Sequence, residues 1–70
     1  MDKIYFKHEV YGKCKILGFF KSIAIIEIKN KVERYVVADG FSLKTKQWSK
    51  GYYFRNYDEA ISAYAFLAFD

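Results

Sequence analysis

The hydrophobic spacing of this chain changes once, at Asn56, and that change constrains the fold more than any other feature. Before it, apolar residues recur with the period of two of a half-buried strand, and after it with helical spacing. In residues 4–11 (IYFKHEVY), Ile4, Phe6, His8 and Val10 share one phase while Lys7 and Glu9 share the other. Gly12-Lys13 reads as a turn. Residues 14–20 (CKILGFF) and 23–29 (IAIIEIK) are the next two strands, joined tightly through Lys21-Ser22. The β-branched run Ile23, Ile25, Ile26, Ile28 favours strand over helix. Asn30-Lys31 is a candidate two-residue turn, after which residues 32–38 (VERYVVA) pair back. Asp39-Gly40 is a strong turn signal, and residues 51–55 (GYYFR) form a last strand.

Beyond Asn56 the pattern predicts a helix from Tyr57 to Phe69. Asn56 with Glu59 three residues on is a variant of the capping box, and Asp58 and Glu59 suit the positive end of a helix dipole. Ala60, Ile61, Tyr64, Leu67 and Ala68 line one stripe, which the helix should lay on the sheet. The expected architecture is α+β: an antiparallel meander of four to five strands with one C-terminal helix on one face. The far face of the sheet is expected to be bare. Seventy residues form one domain, residues 1–70, with modest burial for its size.

Fifteen aromatics (seven Tyr, seven Phe and Trp48) can stabilise so small a core and supply interfaces as well. Phe66 and Phe69 flank the helix stripe and form a candidate self-association face, so a homodimer is expected. A single cysteine, Cys14, excludes an intrachain disulfide, and with His8 as the one histidine a four-ligand structural zinc site of the usual kind is excluded too. No apolar run is long enough to span a bilayer, and the start MDKIYFKHEV lacks the apolar core of a signal peptide. The expectation is a cytoplasmic protein with no cofactor, no metal and no membrane partner.

Catalysis has little to stand on. His8 has no serine, cysteine or acid at a suggestive spacing. Cys14 lies between Lys13 and Lys15, which could lower its pKa, but without a positioned base it reads as a small apolar residue. Asp58 and Glu59 are explained by capping. A non-enzymatic binding protein is the expectation. The net charge of +4 is concentrated in Lys44, Lys46, Lys50 and Arg55, a segment with no acid, where Trp48 and Tyr52 interleave with the cations. Lys44, Lys46, Trp48, Lys50, Tyr52 and Arg55 are therefore the candidate partner-binding residues. Tyr52 and Phe54 share one strand phase and Tyr53 and Arg55 the other, so either side presents aromatic or cationic groups. Such a segment suits an anchored, steered protein contact or a nucleic-acid stacking platform. An acidic mimic of DNA is excluded by the positive charge.

Two resemblances follow from the same region. Lys50, Gly51, Tyr52, Phe54 and Tyr57 in KGYYFRNY resemble the RNP1 string of RNA recognition motifs, whose strand aromatics stack on bases. Tyr53 and Arg55 depart from it. That fold also needs a helix after its first strand, where residues 14–29 read as β, and a strand after its second helix. A longer resemblance runs from Tyr35 through Ala60 and comprises Tyr35, Val36, Val37, Ala38, Trp48, Gly51, Tyr53, Phe54 and Ala60. It is similar to small proteins carried by phages and mobile elements of low-GC bacteria, some of which block host defences, including CRISPR nucleases. That resemblance implies an accessory protein that binds and modulates or inhibits a host protein or nucleoprotein. The alternative is a small nucleic-acid-binding module.

Overall fold

A computed structural model describes residues 4–69. Five strands, β1 (Ile4–His8), β2 (Gly12–Phe20), β3 (Ile23–Glu27), β4 (Tyr35–Asp39) and β5 (Lys50–Phe54), precede one helix, α1 (Tyr57–Phe69). Each strand pairs antiparallel with the next, in the order β1-β2-β3-β4-β5. This is the expected α+β meander, and the helix spans the residues that its spacing predicts. Among the described residues, no helix is long and apolar enough to cross a membrane.

The two inner strands explain why the sheet holds together. In β3, Ile23, Ala24, Ile25 and Ile26 are all buried, and in β4 so are Val36, Val37 and Ala38. Alternate residues of a strand point to opposite faces, so a continuous buried run requires cover on both. On one face, Ile23, Ile25 and Val37 meet Ala60, Tyr64 and Ala68 of α1. On the other, Cys14, Ile16, Ala24, Ile26, Ile28, Val36 and Ala38 form a second core with Phe41. The far face is thus not bare, contrary to expectation. The loop between β4 and β5 folds back over it, bringing Phe41 and Trp48, while Phe6, Tyr11 and Tyr53 close its margins.

One irregularity in β2 divides its side chains between these cores. Ile16 pairs with Ile26, yet Gly18 pairs with Ile25, so the register shifts at Leu17. Such a bulge puts an extra residue opposite one partner and reverses the facing of everything after it. Cys14 and Ile16 point to the far core, whereas Leu17 packs on the helix side. Beyond the bulge, Phe19 reaches Phe41 at 5.9 Å between ring centroids and Phe20 stacks on Phe69 at 4.9 Å. Gly18 gives room here: a Cβ would lie 3.2 Å from the Tyr64 hydroxyl and 3.2 Å from Ile25 Cγ2, so those side chains would have to shift slightly.

Several boundaries differ from the sequence reading for local reasons. The first strand ends at His8 rather than residue 11, and Val10 is 76% exposed in the turn. The Val10 N–H donates to His8 Nδ1 at 3.1 Å, turning the chain away from the sheet before Val10 can point inward. The turn accordingly precedes Gly12-Lys13, and Gly12 opens β2 at a φ of 72°. Asn30-Lys31 is not a two-residue turn. Asn30 Oδ1 accepts from the Val32 and Glu33 N–H groups at 2.9 and 3.1 Å, so the loop is an Asx-type turn. The Ile28 N–H donates to the Arg34 carbonyl at 2.8 Å and closes that loop, delaying β4 until Tyr35. Lys21-Ser22 is the tight connection expected, with both residues left-handed at φ 52° and 64°, as the twist-matched hairpin turn requires.

The helix start follows its sequence signal. Asn56 Oδ1 accepts from the Glu59 N–H at 3.0 Å, and Asn56 Nδ2 donates to Glu59 Oε1 at 3.1 Å. The buried stripe runs Ala60, Tyr64, Ala68 with Ile61 and Ala63 beside it. Leu67, expected in the stripe, is 37% exposed, because a four-residue step keeps 60, 64 and 68 on the line of contact and turns 67 to its margin. Replacing Asn56 with Ala leaves an N-terminal amide unsatisfied. It is expected to cost about 1 kcal/mol, read as a lower urea midpoint with an unchanged denaturant slope.

Candidate functional site

The six sequence-predicted contact residues do not share one face. Successive residues of β5 alternate, and the pairing of Val37 with Tyr52 and of Val36 with Tyr53 assigns their sides. Tyr52 and Phe54 pack on the helix-side core, and Tyr53 packs on the far one. Lys50 stands on the helix side, with its Nζ 5.1 Å from the Tyr52 ring centroid. Trp48 and Lys46 line a cleft on the opposite side. Lys44 lies exposed in the turn at the loop tip, and Arg55 is exposed after β5. The RNP1-like aromatics Tyr52 and Phe54 therefore face the helix, and the meander has no helix between its strands where an RNA recognition motif has one.

Trp48 does not project from a polar loop. The loop folds on itself: the Ser42 N–H donates to the Gln47 carbonyl at 2.9 Å, and the Lys46 N–H to the Ser42 carbonyl at 2.7 Å. Lys46 is left-handed, with φ 62°, and its ammonium donates to the Leu43 carbonyl. This compact turn delivers Trp48 to the edge of the far core, where its ring stacks on His8 at 4.8 Å and 24°. Tyr11 lies nearly parallel to Trp48, 6.3 Å away, and 5.0 Å from His8. Gly51 makes this convergence feasible, since a Cβ there would sit 3.0 Å from both Trp48 Nε1 and the Tyr53 hydroxyl. These groups wall a cleft of about 370 Å³, and Lys7, Glu9, Val10, Thr45, Lys46 and Gln47 complete its lining. Flat aromatic walls suit a planar group of a partner, with Lys7, Glu9 and Lys46 charged beside them.

The sequence reading missed His8, Tyr11 and Tyr53 as parts of this cleft. His8 and Trp48 are 40 residues apart in the chain, and the folding back of the β4–β5 loop over the far face brings them together. The one legible signal was the clustering of aromatics at both ends, which specifies no contact. A second cleft, of about 300 Å³, opens on the helix-side face at β1 and β2 and is lined by Tyr5, Lys13, Lys15, Glu27 and Lys29 with Cys14 and Ile28.

The polar chemistry of these residues is already committed. His8 Nδ1 accepts the turn amides of Val10 and Tyr11. Burial pushes the Cys14 thiol up. Lys13 and Lys15 do not counter this, because adjacent strand residues point to the other face. The Tyr11 hydroxyl donates to the Tyr53 hydroxyl at 2.8 Å. That hydrogen bond first, then burial, pushes Tyr11 up to about 12. Among the described residues, no three of His, Cys, Asp and Glu come together as a metal-holding group. Comparison with protein-family models, curated proteins and solved structures finds no match to the chain.

The raised Tyr11 value has a defined consequence. The fold favours the neutral phenol, so this contribution to stability is complete below pH 10.0 and is lost as the pH rises through about 12. Denaturation measured at increasing pH should show stability falling across that window. Tyr53→Phe, which removes the hydrogen-bond acceptor, should make the fall shallower.

Proposed function

We propose that the protein is a non-enzymatic binding protein that engages a host protein or nucleoprotein through the His8–Trp48 cleft. The observation that carries this reading is the aromatic stack at 4.8 Å, walling an open cleft with Lys7 and Lys46 in its lining. A desolvated aromatic anchor beside cations is what a hot spot and electrostatic steering require. The absence of catalysis is supported by the two reactive side chains: His8 Nδ1 is engaged by its own turn, and Cys14 is buried. The resemblance of residues 35–60 to mobile-element proteins supports the wider role, modulation or inhibition of a host factor such as a defence nuclease. The alternative, a nucleic-acid-binding module, draws on the net charge of +4.

The test is affinity capture from a host lysate, with and without nuclease, comparing the wild type with a His8→Ala, Lys46→Glu variant. Retained partner should fall about tenfold in the variant while its circular dichroism is unchanged. Equal retention would remove the cleft from consideration, and loss on nuclease treatment would favour the alternative.

Self-association is proposed through the outer helix face. Phe66 and Phe69 are 59% and 62% exposed. The Phe69 ring stacks on Phe20, itself exposed, and meets Tyr64 edge-on at 5.9 Å, extending the apolar surface from helix to hairpin. A patch of that kind favours a two-fold contact between copies. Phe69 also makes these contacts within the chain, so Phe66→Ser is the cleaner probe. Sedimentation should give a dimer for the wild type and a monomer for Phe66→Ser. A wild type that remains monomeric at high micromolar concentration refutes the proposal.

A further inference from the structure

Helix α1 packs on β3, β4 and β5, and among the described residues the β1 end of that same sheet face stays open. Its side chains are fixed by register: Tyr5 lies opposite Lys15, Lys7 opposite Lys13, and Lys15 opposite Glu27. Phe6, Cys14 and Ile16, the residues between them, turn into the far core. Among the described residues, Lys7, Lys13, Lys15 and Lys29 thus stand on one face with the carboxylate of Glu27, and Lys7, at the sheet edge, lines the His8–Trp48 cleft as well. The Nζ atoms of Lys13 and Lys15 lie 5.2 and 5.8 Å from the Tyr5 ring centroid. The Tyr5 side chain nevertheless remains open, with the residue 56% exposed.

We infer that this face, Tyr5 with Lys7, Lys13, Lys15 and Lys29, is a binding track for single-stranded nucleic acid. Like charges directly opposite one another destabilise a sheet, and the Lys7–Lys13 pair is such a case. A polyanion relieves that repulsion and gains from it. Lys13 and Lys15 are two residues apart on one strand, so their Cα atoms are about 6.8 Å apart, a spacing at which they can meet successive phosphates of an extended strand. An exposed tyrosine among the cations adds a surface on which a base stacks, and the combination of basic groove and aromatic platform is how single strands are held without sequence preference. The track rests on the reading of the protein as a binding module; it shares Lys7 with the His8–Trp48 cleft but uses none of the Trp48, His8 or Lys46 side chains.

The experiment is fluorescence anisotropy of a labelled oligothymidylate of about 12 nucleotides, titrated with the full chain at several salt concentrations. Contacts to about three phosphates give a log–log salt slope of roughly −2. Lys13→Gln, Lys15→Gln and Lys29→Gln together should weaken binding at least tenfold and flatten that slope. These neutral replacements avoid setting a new carboxylate beside Glu27, and circular dichroism confirms that the variant is folded. Tyr5→Leu should weaken binding about tenfold with the slope unchanged. The His8→Ala, Lys46→Glu variant should bind the oligonucleotide like the wild type, which separates this track from the cleft. Wild-type affinity in the triple variant, or no oligonucleotide binding at low salt, overturns the inference. So does polyglutamate bound as tightly as the oligonucleotide and indifferent to Tyr5→Leu, which would assign the face to an acidic protein surface.

Discussion

The rest of the structure depends on the burial of β3 and β4 from both sides. Ile23 to Ile26 and Val36 to Ala38 leave no solvent-facing phase, so each face of the sheet must find a cover. The described residues have one helix to offer. The second cover is a loop. Burial of apolar area is the main favourable term in folding, and here it recruits Phe41 and Trp48 from a segment with no regular structure. The loop is able to serve because its backbone satisfies itself through Ser42, Lys46 and Gln47.

That arrangement also shapes the surface. The loop brings Trp48 against His8 and so creates the aromatic cleft at one rim of the far core. On the opposite face, the helix is too narrow to cover five strands. It leaves the β1 end open, and the lysines of β1 and β2 that alternate with core residues collect there. Lys7 and Lys13, paired across the strands, line the first and second clefts respectively. Part of the basic character of the chain is thus carried by Lys7, Lys13 and Lys15 of its first two strands, beside residues 44–55.

The fold was largely legible in the chain because its signals are local and agree with one another. Period-two spacing, the Lys21-Ser22 and Asp39-Gly40 connections, and the Asn56 cap each depend on neighbours a few residues away, and each has its structural counterpart. Two boundaries moved because a side chain bonded back to its own backbone, whereas the cover of the far face and the exposure of Leu67 depended on how loop and helix pack. His8 ended β1 early, and Asn30 widened a turn into a loop. The candidate site was legible only as composition. Lys44, Lys46, Trp48, Lys50, Tyr52 and Arg55 stand close in sequence, but alternation along β5 and the folding back of the loop distribute them over different faces.

By itself, then, the sequence determined the order of strands and helix, the cap at Asn56 and the Lys21-Ser22 connection. Those properties follow from covalent spacing and backbone preference. Only the tertiary structure decided which face each residue would occupy. The bulge at Leu17 reverses the facing of Phe19 and Phe20, and it occurs where Gly18 lets the Tyr64 ring press onto the sheet. Tyr64 is 46 residues away, and a contact of that range exists only once the helix has packed. The same dependence places His8 on Trp48, through the folding back of the β4–β5 loop, and Tyr5 among Lys13, Lys15 and Lys29, because pairing between strands sets which distant side chains become neighbours.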